Sequence, residues 1–226
     1  EEMTMRQLLY GMLLASGNDA ALLAAGTVSG SVEAFVEKMN AKAAELGCVN
    51  THFVNPHGLH DENHYTTAHD MYRITAYAMK NPIFSEIVGT QQYKVPATNK
   101  KPERLLVSTN VMLSRNLGGS LYYEPIRGIK TGRTTPAGPC FVSRAVKDGY
   151  TYTMVVMKAD LPDAEGNPAT GTTSFAVTKQ LYQWAFSNLT LQELIKQEAV
   201  LKTVPVKYAT AVDAVGVTPD KTFISL

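Results

Sequence analysis

The chain has 226 residues, of which 45% are hydrophobic and 18% charged, and 21 basic and 20 acidic residues leave a formal net charge of +1. This composition is that of a globular protein with one substantial core, and it excludes a disordered chain. A net charge this small, with no basic cluster among aromatic residues, argues against electrostatic binding to nucleic acid or anionic lipid. The sequence contains no recognisable signal peptide or membrane-spanning segment.

The chain begins with two segments of helical character. Thr4 and Gln7 have the spacing of a capping box, which predicts a helix over residues 4–15. The Ala/Leu-rich segment over residues 19–29 predicts a second, buried helix. Because the first helix starts so near the first residue, the sequence suggests a fragment of a longer protein.

An amphipathic helix is predicted over residues 31–47, with Ser31 at its start and Gly47 at its end. Its apolar positions recur at three- and four-residue spacing: Val32, Phe35, Val36, Met39, Ala43 and Leu46. A polar loop follows over residues 50–65, and then another helix over 67–80, which we expect Asn81-Pro82 to stop.

The second half of the chain carries strand patterns. A short apolar segment over residues 107–112 precedes a predicted strand over 126–131. Residues 141–146 and 150–158 alternate in hydropathy, and Asp148-Gly149 between them predicts a tight hairpin. Helices followed by an antiparallel hairpin predict an α+β fold, with helices packed on an antiparallel sheet.

A closing helix is predicted over residues 173–186, and strands are predicted beyond residue 200. The helix offers these residues for packing: Phe175, Val177, Leu181, Tyr182 and Trp184. The two cysteines, Cys48 and Cys140, lack metal-ligand spacing, and we expect buried free thiols rather than a disulfide between them.

Ser16-Gly17-Asn18 interrupts the apolar run over residues 8–25 between two predicted helices. A serine hydroxyl can relay a proton, and an asparagine both donates and accepts hydrogen bonds, so a catalytic turn is one interpretation. A turn that caps the following helix through Ser16 or Asn18 is the other, and the tripeptide alone favours it.

Lys130-Thr131-Gly132 ends an apolar strand. The lysine offers a positive charge for a substrate carboxylate, the threonine a hydrogen bond, and the glycine room for a ligand along the strand edge. Taken alone, an exposed strand end is the simpler interpretation.

Together the two tripeptides resemble a family. S-x-x-K, S-x-N and K-T-G are the elements shared by penicillin-binding proteins and class A β-lactamases. Over about residues 1–190 the sequence resembles the D-alanyl-D-alanine carboxypeptidases, the low-molecular-weight penicillin-binding proteins. The resemblance lies in the stretches MTMRQLLYGMLLASGNDAALLAA, FVEKMNAKAAELGCVNTHFVNPHGLHDENHYTTAHDM and GIKTGRTTPAGPCFVSRA.

The resemblance implies a β-lactamase-like fold and removal of the terminal D-Ala from peptidoglycan stem peptides ending in D-Ala-D-Ala, through an acyl-enzyme on serine. It implies β-lactams as covalent inhibitors, and neither a metal nor a cofactor. The implied catalytic residues are Ser16, Asn18 and Lys130. The implied substrate-binding residues are Thr131, Gly132, Arg133 and Thr134, with the Arg133 N–H as an oxyanion donor.

The implied nucleophile is absent, because no serine of the chain has lysine three residues later. We expect the S-x-x-K element to precede Glu1 and the chain alone to be inactive. The expected domains are a catalytic part over residues 1–198 and the start of a β-rich domain over 199–226. The resemblance implies an extracytoplasmic location, with a membrane anchor in some relatives. A β-lactamase or endopeptidase on the same fold, and a nucleophile-free peptide-binding relative, stay open.

Two further features concern a possible metal site and a departure from the family pattern. The five histidines lie between residues 52 and 69 beside several carboxylates, which suggests metal binding, but the H-E-x-x-H spacing is missing. Many relatives carry an arginine at the start of the closing helix. Ser174 occupies that place here, and we expect Arg133 to supply the charge instead.

Overall fold

The computed structural model describes residues 1–159, 173–189, 192–205, 212 and 214–225. The chain forms two compact units, Glu1–Tyr182 and Gln183–Leu226. The domain boundary expected between residues 198 and 199 stays a prediction. The α+β class is confirmed, because helices accompany antiparallel sheets throughout the first unit.

The elements are numbered in chain order. The helices are α1 (Met5–Leu13), α2 (Asn18–Ser29), α3 (Val32–Glu45), α4 (Ala68–Ala78), α5 (Pro82–Val88), α6 (Arg115–Gly118) and α7 (Thr173–Asn188). The strands are β1 (Gln92–Val95), β2 (Arg104–Val107), β3 (Ile126–Thr134), β4 (Gly138–Lys147), β5 (Tyr150–Val156), β6 (Gln192–Ile195), β7 (Lys202–Pro205), β8 (Ala214–Val217) and β9 (Phe223–Ser225). Short 3-10 turns cover Val111–Leu113 and Gly119–Leu121.

The helix starts follow the predicted caps. Thr4 Oγ1 accepts the Gln7 N–H and the Gln7 side chain accepts the Thr4 N–H, so the capping box of α1 is confirmed. Ser31 Oγ accepts the Ala34 N–H at the start of α3. These bonds satisfy backbone donors that have no partner within the first helical turn.

One expectation about the helices is wrong and another is incomplete. The second helix is not buried all round: its alanines face the core, whereas Leu22, Leu23 and Val28 are exposed. Asn81-Pro82 does not only end a helix. Asn81 Oδ1 accepts the Ile83 and Phe84 N–H groups, and so caps α5, whose first residue is Pro82. Proline suits that position because its missing N–H has no helical partner there.

The main sheet of the first unit has the antiparallel order β3-β4-β5. The predicted hairpin is confirmed, since Asp148 and Gly149 both have positive φ, 50° and 81°, as a tight turn of this twist requires. Strand β3 lies at one edge, and its outer side pairs with no strand in the described part of the chain.

The strands β1 and β2 form an antiparallel hairpin that the sequence interpretation missed; the apolar segment 107–112 contains only the end of β2 and the 3-10 turn. The hairpin packs on α1, where the Tyr10 and Tyr93 rings stack with centroids 3.7 Å apart. Tyr10, Leu14 and Ile87 form a buried cluster there. Leu14, just before the S-G-N tripeptide, is therefore held in the core.

The predicted closing helix is confirmed. Only some of the residues predicted for its packing face are buried. Phe175 packs edge-on against Phe141 of β4, with ring centroids 5.0 Å apart. The buried Tyr182 Oη lies 3.0 Å from Ser143 Oγ. Leu181 and Trp184 are instead 43% and 55% exposed.

In the described segments no single helix has the length and apolar composition to cross a membrane. Helices α2 and α3 pass that test only as a pair, with a bend of 85° between them.

Candidate active site

The Ser16-Gly17-Asn18 tripeptide forms the corner between α1 and α2. Ser16 has φ of +58°, in the left-handed region that non-glycine residues rarely adopt. The Gly17 N–H donates to Gly11 O at 3.1 Å, which fastens the corner to α1. The corner is tight, because a Cβ on Gly17 would lie 3.3 Å from that same carbonyl oxygen. The Ser16 side chain is exposed at the tip.

The structure tests the capping interpretation of this tripeptide. Gly17 is the N-cap residue of α2 and has no side chain to cap it, whereas Asp19 Oδ1 accepts the Ala20 N–H in the first turn at 2.8 Å. Asn18 is the first helical residue, with an exposed side chain that hydrogen-bonds to no described residue. Neither polar side chain serves the helix start, so the capping interpretation is wrong.

Lys130 of β3 brings the two tripeptides together. Its Nζ donates to Ser16 Oγ at 2.9 Å and to Thr131 O at 2.8 Å. No carboxylate of the described residues forms an ion pair with it. Burial of the ammonium without a compensating charge lowers the pKa of Lys130 from its usual 10.5 to about 8. The pair can therefore exchange or hold a proton near neutral pH.

The residues after Lys130 lie along the outer edge of β3. Thr131 and Thr134 are half-buried, and Gly132 and Arg133 are exposed. A Cβ built on Gly132 would meet no atom within 4 Å, so open space lies beside this strand. Thr134 Oγ1 accepts the Ala137 N–H at 3.2 Å, which ties its side chain to the β3–β4 turn.

A cavity of about 330 Å³ adjoins this edge. Residues 130–134 form one wall, and the loop over residues 50–65 contributes Leu59, His60 and His64. Apolar side chains of the sheet, such as Phe141 and Val155, also line it. The site thus combines a charged, hydrogen-bonding edge with an apolar interior, as pockets for small organic ligands do.

The histidine-rich loop is held by its own hydrogen bonds. His64 Nδ1 accepts the Val54 N–H at 3.2 Å, and His52 Nδ1 lies 2.6 Å from Asn63 O. Burial lowers the pKa of His64, which keeps its ring neutral at neutral pH. Among the described residues no three His, Cys, Asp or Glu side chains converge to hold a metal ion.

Three other predicted features have a definite place. Ser174 is 3% exposed in the first turn of α7, so it is a buried residue. Arg133 remains the exposed cation beside the cavity. Cys48 and Cys140 are both free thiols, of which Cys48 is buried and Cys140 only partly so.

The sequence interpretation missed Thr109. Its Oγ1 lies 2.6 Å from Thr131 Oγ1, and its N–H donates to Leu14 O at 3.2 Å. A signal was present, because Ser108-Thr109-Asn110 is a second S-x-N tripeptide in the chain. The second tripeptide therefore contributes its middle residue to the site.

Comparison with known proteins identifies the family of the chain. The family model described as D-alanyl-D-alanine carboxypeptidase, peptidase S11, matches residues 1–161. The chain belongs to this family. It is 37% identical over 208 residues to D-alanyl-D-alanine carboxypeptidase DacF of Bacillus subtilis, covering 92% of the chain and 49% of that relative.

Solved structures give the same assignment. The D-alanyl-D-alanine carboxypeptidase of Mycobacterium tuberculosis matches with a TM-score of 0.68 and 35% identity, over 83% of this chain and 66% of that one. The Streptomyces K15 DD-transpeptidase matches with a TM-score of 0.70 and 29% identity, over 82% and 68%. The fold is thus that of the DD-peptidases, and the chain spans about half the length of the curated relative DacF.

Proposed function

We propose that the protein carrying this chain is a serine-type D-Ala-D-Ala carboxypeptidase. It removes the terminal D-Ala from peptidoglycan stem peptides, outside the cytoplasm, and β-lactams acylate it. The contact between Ser16 Oγ and Lys130 Nζ, 2.9 Å long and bridging positions 114 apart in sequence, carries the proposal. Family membership supports it, because the contact joins the S-x-N and K-T-G elements of that family.

The proposed nucleophile is the serine of an S-x-x-K element outside residues 1–226. Its hydroxyl proton passes to the lysine of that element, and its oxygen attacks the carbonyl carbon of the penultimate D-Ala. The C–N bond breaks, an acyl-enzyme ester forms, and the lysine returns the proton to Ser16 as Ser16 gives up its own. The departing amine of the terminal D-Ala needs a proton. Ser16 supplies it through its hydroxyl, and Lys130, which already donates to Ser16 Oγ, holds that hydroxyl in place. Water then hydrolyses the ester.

Asn18 and the β3 edge bind the substrate in this proposal. The exposed Asn18 amide hydrogen-bonds the peptide carbonyl. The unpaired side of β3 at Thr131, Gly132, Arg133 and Thr134 accepts the stem peptide as an added strand. The Arg133 N–H is one oxyanion donor, and loss of one such donor typically costs about 3–4 kcal/mol of transition-state stabilisation.

The terminal carboxylate of the substrate explains the positive end of the site. Lys130 and Arg133 are the cations that line the cavity, and the structure shows no ion pair for either among the described residues. A single carboxylate of the substrate would compensate the buried ammonium of Lys130. This requirement favours a C-terminal peptide end over an internal peptide bond.

The proposal is tested with the protein expressed together with its encoded upstream residues. We expect it to release D-Ala from a diacetyl-L-Lys-D-Ala-D-Ala peptide, and Ser16→Ala to abolish most of this release. Peptide binding without release of D-Ala would contradict the proposed enzyme and support a nucleophile-free peptide-binding protein. Fast turnover of a β-lactam without D-Ala release would contradict the proposed carboxypeptidase and support a β-lactamase.

A further inference from the structure

We propose that Thr109 is a positioning residue that orients the Thr131 hydroxyl toward the terminal carboxylate of the substrate. This inference deepens the proposed function and rests on it. The observation behind it is the short contact of 2.6 Å between Thr109 Oγ1 and Thr131 Oγ1. Thr109 lies outside both the S-G-N and the K-T-G tripeptides.

Thr109 stands where the two halves of the site meet. Its N–H donates to the carbonyl of Leu14, two residues before Ser16, at 3.2 Å. Its hydroxyl reaches the middle residue of Lys130-Thr131-Gly132. The Lys130 ammonium in turn donates to the Thr131 carbonyl and to Ser16 Oγ. One residue thus links the catalytic corner to the substrate-binding strand.

Either hydroxyl of the pair can be the donor, and one of the two directions suits a substrate carboxylate. A threonine hydroxyl has one proton to donate and rotates freely unless a neighbour restrains it. When Thr109 donates its proton to Thr131 Oγ1, the Thr131 proton is left to point into the cavity. A carboxylate there accepts that proton, and the bond to an anion is stronger than one between neutral groups. Thr109 acts through Thr131 and need not touch the substrate.

The hydroxyl of Thr109 contributes little to the stability of the fold. The residue is exposed, so water can replace its hydroxyl partner. Its contact with α1 is made by the backbone N–H, which any residue except proline retains. Thr109→Val therefore removes the hydroxyl but keeps the shape and the backbone contact.

The test compares a D-Ala-D-Ala peptide that has a free terminal carboxylate with the same peptide ending in a carboxamide. We expect Thr109→Val, in the protein with its upstream residues, to lower kcat/KM for the acid roughly 3- to 10-fold. The rate for the carboxamide should stay unchanged, and Thr109→Ser should restore the rate for the acid. Thr90→Val is the matched control, because the one partner of the Thr90 hydroxyl among the described residues is Glu86 O, at 2.8 Å.

Three results would overturn the inference: an equal loss for both peptides, no loss for the acid, or a Thr109→Ser variant as impaired as Thr109→Val. An equal loss would mean that Thr109 supports the corner structurally. If the wild-type protein cleaves neither peptide, the proposed function fails separately. The dissociation constants of the two peptides then replace the rates, and the same acid-to-carboxamide ratio decides the role of Thr109.

Discussion

The chain contains three S-x-N tripeptides, at residues 16–18, 108–110 and 114–116, and the first two fold in opposite ways. In Ser16-Gly17-Asn18 both polar side chains are exposed, and the serine oxygen accepts a hydrogen bond from Lys130. In Ser108-Thr109-Asn110 the serine oxygen accepts the Asn110 N–H at 3.2 Å, and Asn110 is 2% exposed. Its Oδ1 accepts the Met112 N–H at 3.1 Å and so starts a 3-10 turn.

The difference teaches that the backbone, rather than the residue pattern, decides where the polar side chains of such a tripeptide point. A φ of +58° at Ser16 turns the serine outward, toward Lys130. Ser108 is not among the residues with positive φ, and its side chain turns back on its own segment. Asn18 of the first tripeptide has its amide exposed, whereas Ser108 Oγ and Asn110 Oδ1 of the second accept backbone N–H groups of their own segment.

The largest expected effect is a difference in activity between variants of Ser16 and Ser108. Ser16→Ala should lower kcat/KM for D-Ala release about 10²- to 10³-fold, because a positioned proton donor is lost. Ser108→Ala should change it by less than about 3-fold, since only one local hydrogen bond is lost. Steady-state kinetics of the two variants measure this. Equal losses would show that the corner at Ser16 has no special role.

For the asparagines we expect the second tripeptide to show the larger effect, and to show it in stability. Asn110→Ala should lower the free energy of unfolding by about 1–3 kcal/mol, because a buried backbone N–H loses its acceptor. Asn18→Ala should change it by less than about 0.5 kcal/mol, as an exposed side chain that bonds to none of the described residues contributes little. Urea denaturation of both variants tests this, and a larger loss for Asn18→Ala would reverse the comparison.

Lys130 is the partner that only the first tripeptide has, and its burial should be visible in the pH dependence of stability. Its pKa is about 8 in the folded chain against an ordinary 10.5. Below pH 8 both states carry the proton, and the folded state bears the full cost of the buried charge. Between about pH 8 and 10.5 the folded state alone has lost the proton, so folding becomes more favourable as the pH rises.

Lys130→Met should therefore raise the free energy of unfolding at pH 7 by about 1–3 kcal/mol, while it removes activity. This advantage over the wild type should shrink as the pH rises from 8 to 10.5. Thermal unfolding at several pH values measures it. Lys100→Met, at an exposed lysine, is the control and should show no such trend. A Lys130→Met variant less stable than the wild type at pH 7 would contradict the account.

The smallest effect concerns the backbone of the two serines. Ser16→Gly should be more stable than Ser16→Ala by about 0.5–1 kcal/mol, because glycine adopts positive φ without strain. At Ser108, where φ is not positive, the glycine variant should be the less stable of the two by a similar amount. Chemical denaturation of the four variants gives both differences, and the same sign at both positions would refute the backbone explanation.

Much of the fold follows from local patterns in the sequence. The capping box at Thr4, the cap at Ser31 and the Asp148-Gly149 turn all have local physical causes, and all are confirmed. The β1–β2 hairpin was missed because its short strands depend on packing against Tyr10, 83 residues before Tyr93 in the chain. The helix stop at Asn81-Pro82 agrees with the structure, but the start of α5 there was missed, because the same pair can end one helix and begin the next.

The site was predictable only in part. Ser16 and Lys130 could be paired through the family resemblance, since nothing local relates residues 114 positions apart. Thr109 could not be found in this way, because its role depends on a contact between two side chains and on one backbone bond to Leu14. The burial that lowers the pKa of Lys130 is likewise a property of the folded chain.

The most direct test of the central claim is a mass measurement of the protein, with its encoded upstream residues, before and after benzylpenicillin. Digestion then locates the penicilloyl group. The account predicts an adduct on a serine of an S-x-x-K element outside residues 1–226, formed much more slowly in Ser16→Ala than in Ser108→Ala. An adduct on a serine within these residues, or an equal rate in the two variants, would contradict the claim that Ser16 and Lys130 form half of an acylation site.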